Sequence, residues 1–198
     1  MTFSKTMIAA AALIAGAGTA LPVNAEPTAL TGRVDIRLPA TPHREAFRLT
    51  VRPDPSAAEY WTSDGHALEV WSDCRPPELL ASMPFESSYG HYSLWLSDLT
   101  GDGVEEFVLV RGRGRGTSAR SETMTVYSRD GAGFTALTEV PFSDFFGNGA
   151  RWYYEPRFVR NGDRTVIELS LDWDDYSDGR LANPELIPGD ELVVIDLR

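Results

Sequence analysis

The residues with the clearest capacity for chemistry lie in one short acidic segment. Its candidate metal ligands are oxygen atoms at alternating positions, followed by one further carboxylate: Asp98, Thr100, Asp102, Val104 (through its carbonyl) and Glu106. Gly103 permits a sharp turn within this set. Because Ca²⁺ takes about six to eight oxygen ligands at flexible distances, the segment predicts one calcium site. An Asp/Gly hairpin that holds no ion is the alternative.

Short apolar segments flank this acidic loop. Leu94-Trp95-Leu96 precedes it, and Phe107-Val108-Leu109-Val110 follows it. The helix–loop–helix type of calcium site carries a Glu at the twelfth loop position, where this chain has Leu109. The loop is therefore expected to join two β-strands.

The loop and its flanks resemble the calcium loop of FG-GAP and VCBS-type repeats, the blade units of integrin-like β-propellers. In that family the loop runs Asp-x-Asn-x-Asp-Gly-x-x-Asp and leads into an apolar strand. Here Thr100 replaces the Asn and Glu106 replaces the last Asp. The resemblance covers about residues 91–138 and implies one calcium-stabilised blade. Since a closed propeller needs several blades, a partial propeller or a sandwich is expected.

The rest of the chain reads as short antiparallel strands. Alternating apolar and polar residues at 34–38, 47–52 and 167–173 indicate strands with one buried face. The continuously apolar runs 107–110 and 192–195 predict strands that are covered on both faces. Short helical turns are expected only at 77–82 and 142–146, and hairpin turns at Asp64-Gly65, Asp130–Gly133 and Asn161–Asp163. The fold class predicted is all-β, with about ten strands in one domain over residues 26–198 and a soft boundary near 84–90.

The first 25 residues are typical of a secretory signal peptide. One positive charge, Lys5, precedes an apolar run from Met7 to about Leu21, and small residues lead to a cleavage position after Ala25. The mature protein is then exported to the periplasm or secreted. No Cys follows the apolar run and no other stretch is apolar enough to span a bilayer, so no membrane anchor is expected. An N-terminal helix of the folded domain is the alternative.

The net charge limits the classes of partner, and the lysine and cysteine content limits the covalent chemistry of the chain. Lys and Arg total 18 against 29 Asp and Glu, for a net charge of −11. Such an acidic protein disfavours nucleic acid and anionic membranes as partners. Lys5 is the only lysine, which rules out a lysine nucleophile in the mature chain. Cys74 is the only cysteine, so no internal disulfide forms.

Two further groups of residues are candidate ligand contacts. Arg111, Arg113 and Arg115 alternate with glycines, so on a strand their guanidinium groups share one face and could bind anionic groups. An edge strand that neutralises nearby acids is the simpler explanation. Trp152 and Tyr153 lie beside a turn and could face a glycan or a protein, although most aromatic residues of a strand-rich protein are core.

Motifs of known catalytic chemistry are absent from the sequence. It contains no Gly-x-Ser-x-Gly, no His-Glu-x-x-His and no dinucleotide-binding fingerprint. These observations favour an exported calcium-binding module that contacts a protein or glycan outside the cytoplasm, rather than an enzyme. The rival is a small periplasmic hydrolase that uses the acidic segment 172–178.

Overall fold

The fold is all-β, as predicted. The computed structural model describes residues 34–40, 45–61, 63–113, 120–145, 151–174 and 188–197. Strands account for 70% of these residues and form two antiparallel sheets, neither of which closes into a barrel. The only helical element in the described ranges is a 3-10 turn at Pro55–Ala57, which Asp54 caps by accepting a hydrogen bond from the amide of Ser56.

Eleven strands make up the two sheets within the described ranges. The first sheet has the order β1-β2-β3-β4, with strands β1 (Asp35–Leu38), β2 (Phe47–Pro53), β3 (Ser63–Ser72) and β4 (Leu79–Ser88). The second runs from β5 to β11 in chain order, with strands β5 (Tyr92–Ser97), β6 (Glu106–Arg113), β7 (Arg120–Asp130), β8 (Gly133–Phe145), β9 (Arg151–Asn161), β10 (Arg164–Asp174) and β11 (Leu192–Ile195).

The second sheet curls over itself, so that the molecule has three layers. Strands β8 and β9 pair over only three positions, Ser143–Phe145 against Arg151–Tyr153. Beyond that short ladder the amide of Thr165 at the start of β10 donates to the carbonyl of Asp98, which follows β5 (2.8 Å). Because β5 and β10 are five strands apart in the sheet order, this bond forms only if β9–β11 fold back over β5–β7.

Strand β6 is the centre of the layered core. Phe107 and Leu109 pack between the first sheet and the second, in a cluster that includes Leu49. Val108 and Val110 point the opposite way and pack against the β9–β11 layer. This two-sided burial explains the continuously apolar run 107–110 and confirms that prediction.

The same prediction is wrong for the other apolar run, 192–195. Strand β11 pairs only with β10 and lies at the edge of its sheet. Leu192 and Val194 are 56% and 51% exposed, whereas Ile195 is buried in the core and Val193 packs against it. Composition alone does not separate an apolar edge strand from a central one.

Tight turns with a glycine at positive φ occur at two of the three predicted positions. Gly131 and Gly162 have φ of 57° and 72° and connect β7 to β8 and β9 to β10. Asp64-Gly65, by contrast, lies inside β3. A Cβ atom on Gly65 would lie 2.0 Å from the carbonyl oxygen of Asp54, so this glycine serves a close backbone approach instead of a turn.

The two short helical turns expected at 77–82 and 142–146 are also wrong. Strand β4 begins at Leu79, and strand β8 continues to Phe145. Both segments are stabilised by ladders to neighbouring strands, which local sequence patterns do not reveal.

The chain passes from the first sheet to the second between Ser88 and Tyr92, through Tyr89 and Gly90, which both have positive φ.

The three-layer arrangement predicts a strong contrast between two leucines. Leu109→Ala should lower the free energy of unfolding by about 2–5 kcal/mol, because it leaves a cavity beside β6. Leu192→Ala on the exposed edge should change it by only about 0.5 kcal/mol. Urea denaturation of the two variants measures this, and equal effects would contradict the assignment of β6 to the centre.

Candidate functional site

The acidic loop connects β5 to β6 and is closed by its own backbone amides. Gly101 and Gly103 have φ of 83° and 82°, a left-handed conformation that other residues rarely adopt. The turn directs both of their N–H groups at Asp98, whose carboxylate accepts them at 2.7 and 3.0 Å. Asp98 therefore fixes the path of the loop.

Glu106 closes the other end of the loop. It is the first residue of β6 and only 3% exposed. Its carboxylate accepts hydrogen bonds from the amides of Leu99 (2.7 Å) and Thr100 (3.2 Å) and from the Thr100 hydroxyl (3.3 Å). Burial raises the pKa of Glu106 above its ordinary value, and the nearby charge of Asp102 acts in the same direction, against the lowering effect of the amide bonds.

The oxygen chemistry of the loop suits calcium, but its carboxylates do not surround a common point. Asp102 is exposed, and its Oδ1 atom accepts the amide of Val104 (2.8 Å). In the part of the chain that the structure describes, no three His, Cys, Asp or Glu side chains are grouped as metal ligands would be. Each oxygen of Asp98 accepts one amide and keeps a second lone pair, whereas Oε2 of Glu106 accepts two amides. The described arrangement is therefore one in which amides hold Asp98 and Glu106.

A further carboxylate lies beside the loop and was missed from the sequence. A Cβ atom built on Gly101 would lie 3.3 Å from the carboxyl carbon of Asp163, in the turn between β9 and β10. The bond from the Thr165 amide to the Asp98 carbonyl holds that turn in place. Asp163 is 65 positions from Asp98 in the chain, and no local pattern connects them.

The predicted arginine residues lie at the other end of β6. Arg111 is half buried and Arg113 is exposed, and both line an open groove of about 380 Å³ beside β4, here called the arginine groove. Arg115 lies outside the described residues. The period of two on a strand accounts for the shared placement of Arg111 and Arg113.

The two predicted aromatic contacts have different positions. Trp152 is 5% exposed and packs in the core between β5–β7 and β9–β11, which corrects the expectation that it faces a ligand. Tyr153, its neighbour on the opposite face of β9, lines a second open groove of about 530 Å³. The sequence did not single out Trp61, which is 88% exposed.

This second groove, here called the aromatic groove, lies where the β4–β5 turn meets the ends of β7, β8 and β9. Four aromatic side chains line it: Tyr89, Phe142, Phe145 and Tyr153. Polar and charged residues complete the lining: His91, Arg120, Glu122, Ser143, Asp144 and Arg151. Because Tyr89 is 42% exposed, part of its ring is accessible to a ligand.

Several polar groups of the aromatic groove are held in fixed positions. Glu122 forms an ion pair with Arg120 and accepts a hydrogen bond from the hydroxyl of Ser143 (2.7 Å). The guanidinium of Arg151 lies 4.7 Å from the centre of the Tyr153 ring. The Tyr153 hydroxyl donates to Asp172 (3.1 Å). These contacts orient the lining before any ligand arrives.

Asp144 has an altered acidity within the same groove. Partial burial raises its pKa above the ordinary value, and a hydrogen bond from the amide of Phe145 opposes this shift. The hydrolase hypothesis used a different acidic segment, 172–178. Asp172 is engaged by Tyr153, and residues 175–178 lie outside the described residues.

Comparison with known proteins identifies no relative of this chain. No model of a protein family, no curated protein and no solved structure matches the chain. Among the residues that the structure describes, no helix has the length and apolar character needed to cross a bilayer.

The loop geometry predicts that Asp98 stabilises the fold without any ion. In EDTA, Asp98→Ala should lower the free energy of unfolding by about 1–2 kcal/mol, because the amides of Gly101 and Gly103 lose their acceptor. Asp98→Asn should cost less, since its one amide oxygen can still accept one of the two bonds. Chemical denaturation with Asp130→Ala as an exposed control tests this. Equal stabilities for Asp98→Ala and the control would show that the amides do not hold the loop.

Proposed function

We propose that this protein is an exported β-module that binds a glycan outside the cytoplasm through the aromatic groove. The observation that carries the proposal is the lining itself, in which aromatic rings alternate with positioned hydrogen-bonding groups. Concave sites that combine apolar walls with a few fixed polar groups are the usual form of small-ligand sites.

The chemistry of a sugar ring matches this lining. Its C–H faces are apolar and pack on aromatic rings, whereas its hydroxyl groups need both donors and acceptors. Glu122 supplies acceptor oxygens, and Arg120 and Arg151 supply donors. Since Arg120 and Ser143 already fix Glu122, little side-chain entropy is lost when a ligand binds.

A glycan fits the groove better than a protein surface or a hydrolytic reaction does. A protein partner of ordinary affinity contacts about 20–30 residues on each side, whereas ten residues line this groove. Hydrolysis of a glycosidic bond ordinarily uses two carboxylates that both act on the substrate. Two carboxylates line the groove, Asp144 and Glu122, and Glu122 is bound by Arg120 and Ser143, an arrangement that supports binding.

Removal of the Tyr153 ring should abolish most of this binding. We expect Tyr153→Ala to weaken the affinity for an oligosaccharide, selected on a glycan array, by about tenfold or more, because the groove loses both an aromatic part of its wall and the ring that positions Arg151. Tyr153→Phe should retain more of the affinity, since the ring remains. Titration calorimetry measures both.

Leu137→Ala is the matched control for this experiment. Leu137 is an exposed apolar residue of the same strand, β8, that supplies part of the lining, but it lies outside the groove. Its variant should bind as the unaltered protein does. Failure of the array to yield any ligand, or equal losses in Tyr153→Ala and Leu137→Ala, would reject the aromatic groove as the glycan site.

Calcium in the β5–β6 loop is the second part of the proposal. Asp98, Thr100, Asp102, Val104 and Glu106 would be its ligands. The resemblance to FG-GAP and VCBS-type loops supports it, as does the position of the loop between the first two strands of an antiparallel meander, β5–β8. The ion would add rigidity to a loop that its own amides already close. Export rests on the N-terminal 25 residues, which lie outside the described residues.

Thermal unfolding in EDTA, calcium and magnesium tests the ion. Extracellular calcium sites have Kd of about 0.1–1 mM, so about 10 mM calcium should add about 1.4–2.7 kcal/mol. That corresponds to a rise in Tm of roughly 3–11 °C. Asp102→Ala should abolish the rise, whereas Asp130→Ala in the β7–β8 turn should retain it. No rise with calcium, or an equal rise in Asp102→Ala, would remove the ion from the account.

A further inference from the structure

The inward face of β6 changes from apolar to cationic along the strand. Phe107 and Leu109 pack in the core beneath the first sheet, and Arg111 and Arg113 continue the same face into the arginine groove. The amide of Gly112 donates to the hydroxyl of Ser87 on β4 (3.0 Å). This bond fixes the end of β6 against the first sheet, and so fixes where the two arginines stand.

Arg111 has unused hydrogen-bonding capacity in this position. Its Nε atom is buried and has no hydrogen-bond partner among the described residues. No ion pair joins Arg111 or Arg113 to a carboxylate in the same ranges. Without an ion pair, the guanidinium groups of Arg111 and Arg113 have no carboxylate to neutralise them among these residues, and a planar anionic group in the groove could bind them.

Residues of β4 and of the β2–β3 connection add acceptors to the lining. Glu86 is buried, and its Oε2 atom accepts the amide of Glu59 (2.8 Å) and the hydroxyl of Ser63 (2.8 Å). The side chain of Glu59 is exposed beside it. Two arginines and two glutamates therefore line the same open groove. Such a balance disfavours a multiply charged anion and favours a group with one negative charge next to hydrogen-bond donors.

We propose that the arginine groove binds a compact carboxylate whose neighbouring groups donate hydrogen bonds. The ligand carboxylate would take both arms of the Arg111 guanidinium, with Arg113 adding charge at the mouth of the groove. Its neighbouring hydroxyl or ammonium groups would face Glu59 and Glu86. A uronic acid and a free amino acid both carry this chemistry. The site is separate from the aromatic groove and does not depend on the function proposed for it.

Amide chemical-shift titration of the purified protein tests the site with four probes. Glucuronate and alanine carry the proposed chemistry, glucose lacks the carboxylate, and sulfate lacks the neighbouring donors. At least one of the two carboxylates should saturate the protein with shifts around Arg111 and bind at least tenfold more tightly than glucose or sulfate. The probe that binds shows whether the carboxylate belongs to a uronic acid or to an amino acid.

Variants separate a specific site from general charge. Arg111→Gln should raise the Kd for the bound carboxylate by about tenfold or more, and Arg111→Lys should recover only part of the loss, because lysine lacks the planar fork. Arg113→Gln should raise the Kd less, by about threefold. Because Arg113 is exposed, this variant should fold even if Arg111→Gln does not. Arg157→Gln on the exposed surface of β9 should leave it unchanged.

Three results would overturn the proposal. The first is the absence of saturable binding by both carboxylates. The second is sulfate that binds as tightly as they do, which indicates simple charge attraction. The third is an Arg157→Gln variant that loses as much affinity as Arg111→Gln. Tyr153→Ala provides a separate comparison, since it should leave carboxylate binding intact whether or not the aromatic groove binds glycans.

Discussion

The two-sided burial of β6 is the constraint on which the rest of the molecule depends. Its side chains alternate between two cores, so neither the first sheet nor the β9–β11 layer can shift without opening a cavity. This packing fixes the positions of both ends of the strand. Glu106 at its start closes the acidic loop, and Arg111 near its end enters the arginine groove.

The two ends of β6 also differ in charge. Asp98, Asp102, Glu106 and Asp163 lie at the loop end, whereas the two grooves at the other end are lined by four arginines and four carboxylates. The acidic end therefore repels an anionic ligand more strongly than the groove end does.

The sequence predicts the parts of the fold that depend on local chemistry. The Asp/Gly spacing of 98–106 is enough to place a loop between two strands, and the run 107–110 is enough to predict a strand covered on both faces. The run 192–195 looks alike but lies on an edge, since burial is decided by strand order, which the sequence does not state. The prediction of a turn at Asp64-Gly65 is wrong for a similar reason. Gly65 lies inside β3, and the backbone that it approaches belongs to the β2–β3 connection, which is not adjacent to it in the sequence.

The candidate sites were predictable only one residue at a time. Arg111, Arg113 and Tyr153 were identified from spacing and position, and each lines a groove. Their partners come from distant strands: Glu86 from β4, Tyr89 from the turn after it, and Phe145 from β8. Trp152 shows the limit of such reasoning. It is adjacent to Tyr153 in the chain, but on a strand consecutive side chains face opposite ways, and its side chain is core.

The ligand recognition proposed above lies at the end of the molecule that carries the two grooves. Mapping of backbone amide shifts, as an oligosaccharide selected on a glycan array is added, tests it most directly. The shifted amides should cluster at 89–91, 142–145 and 151–153, and the amides of the 98–106 loop should stay unchanged. Shifts centred on the acidic loop, or spread evenly over both ends of β6, would contradict it.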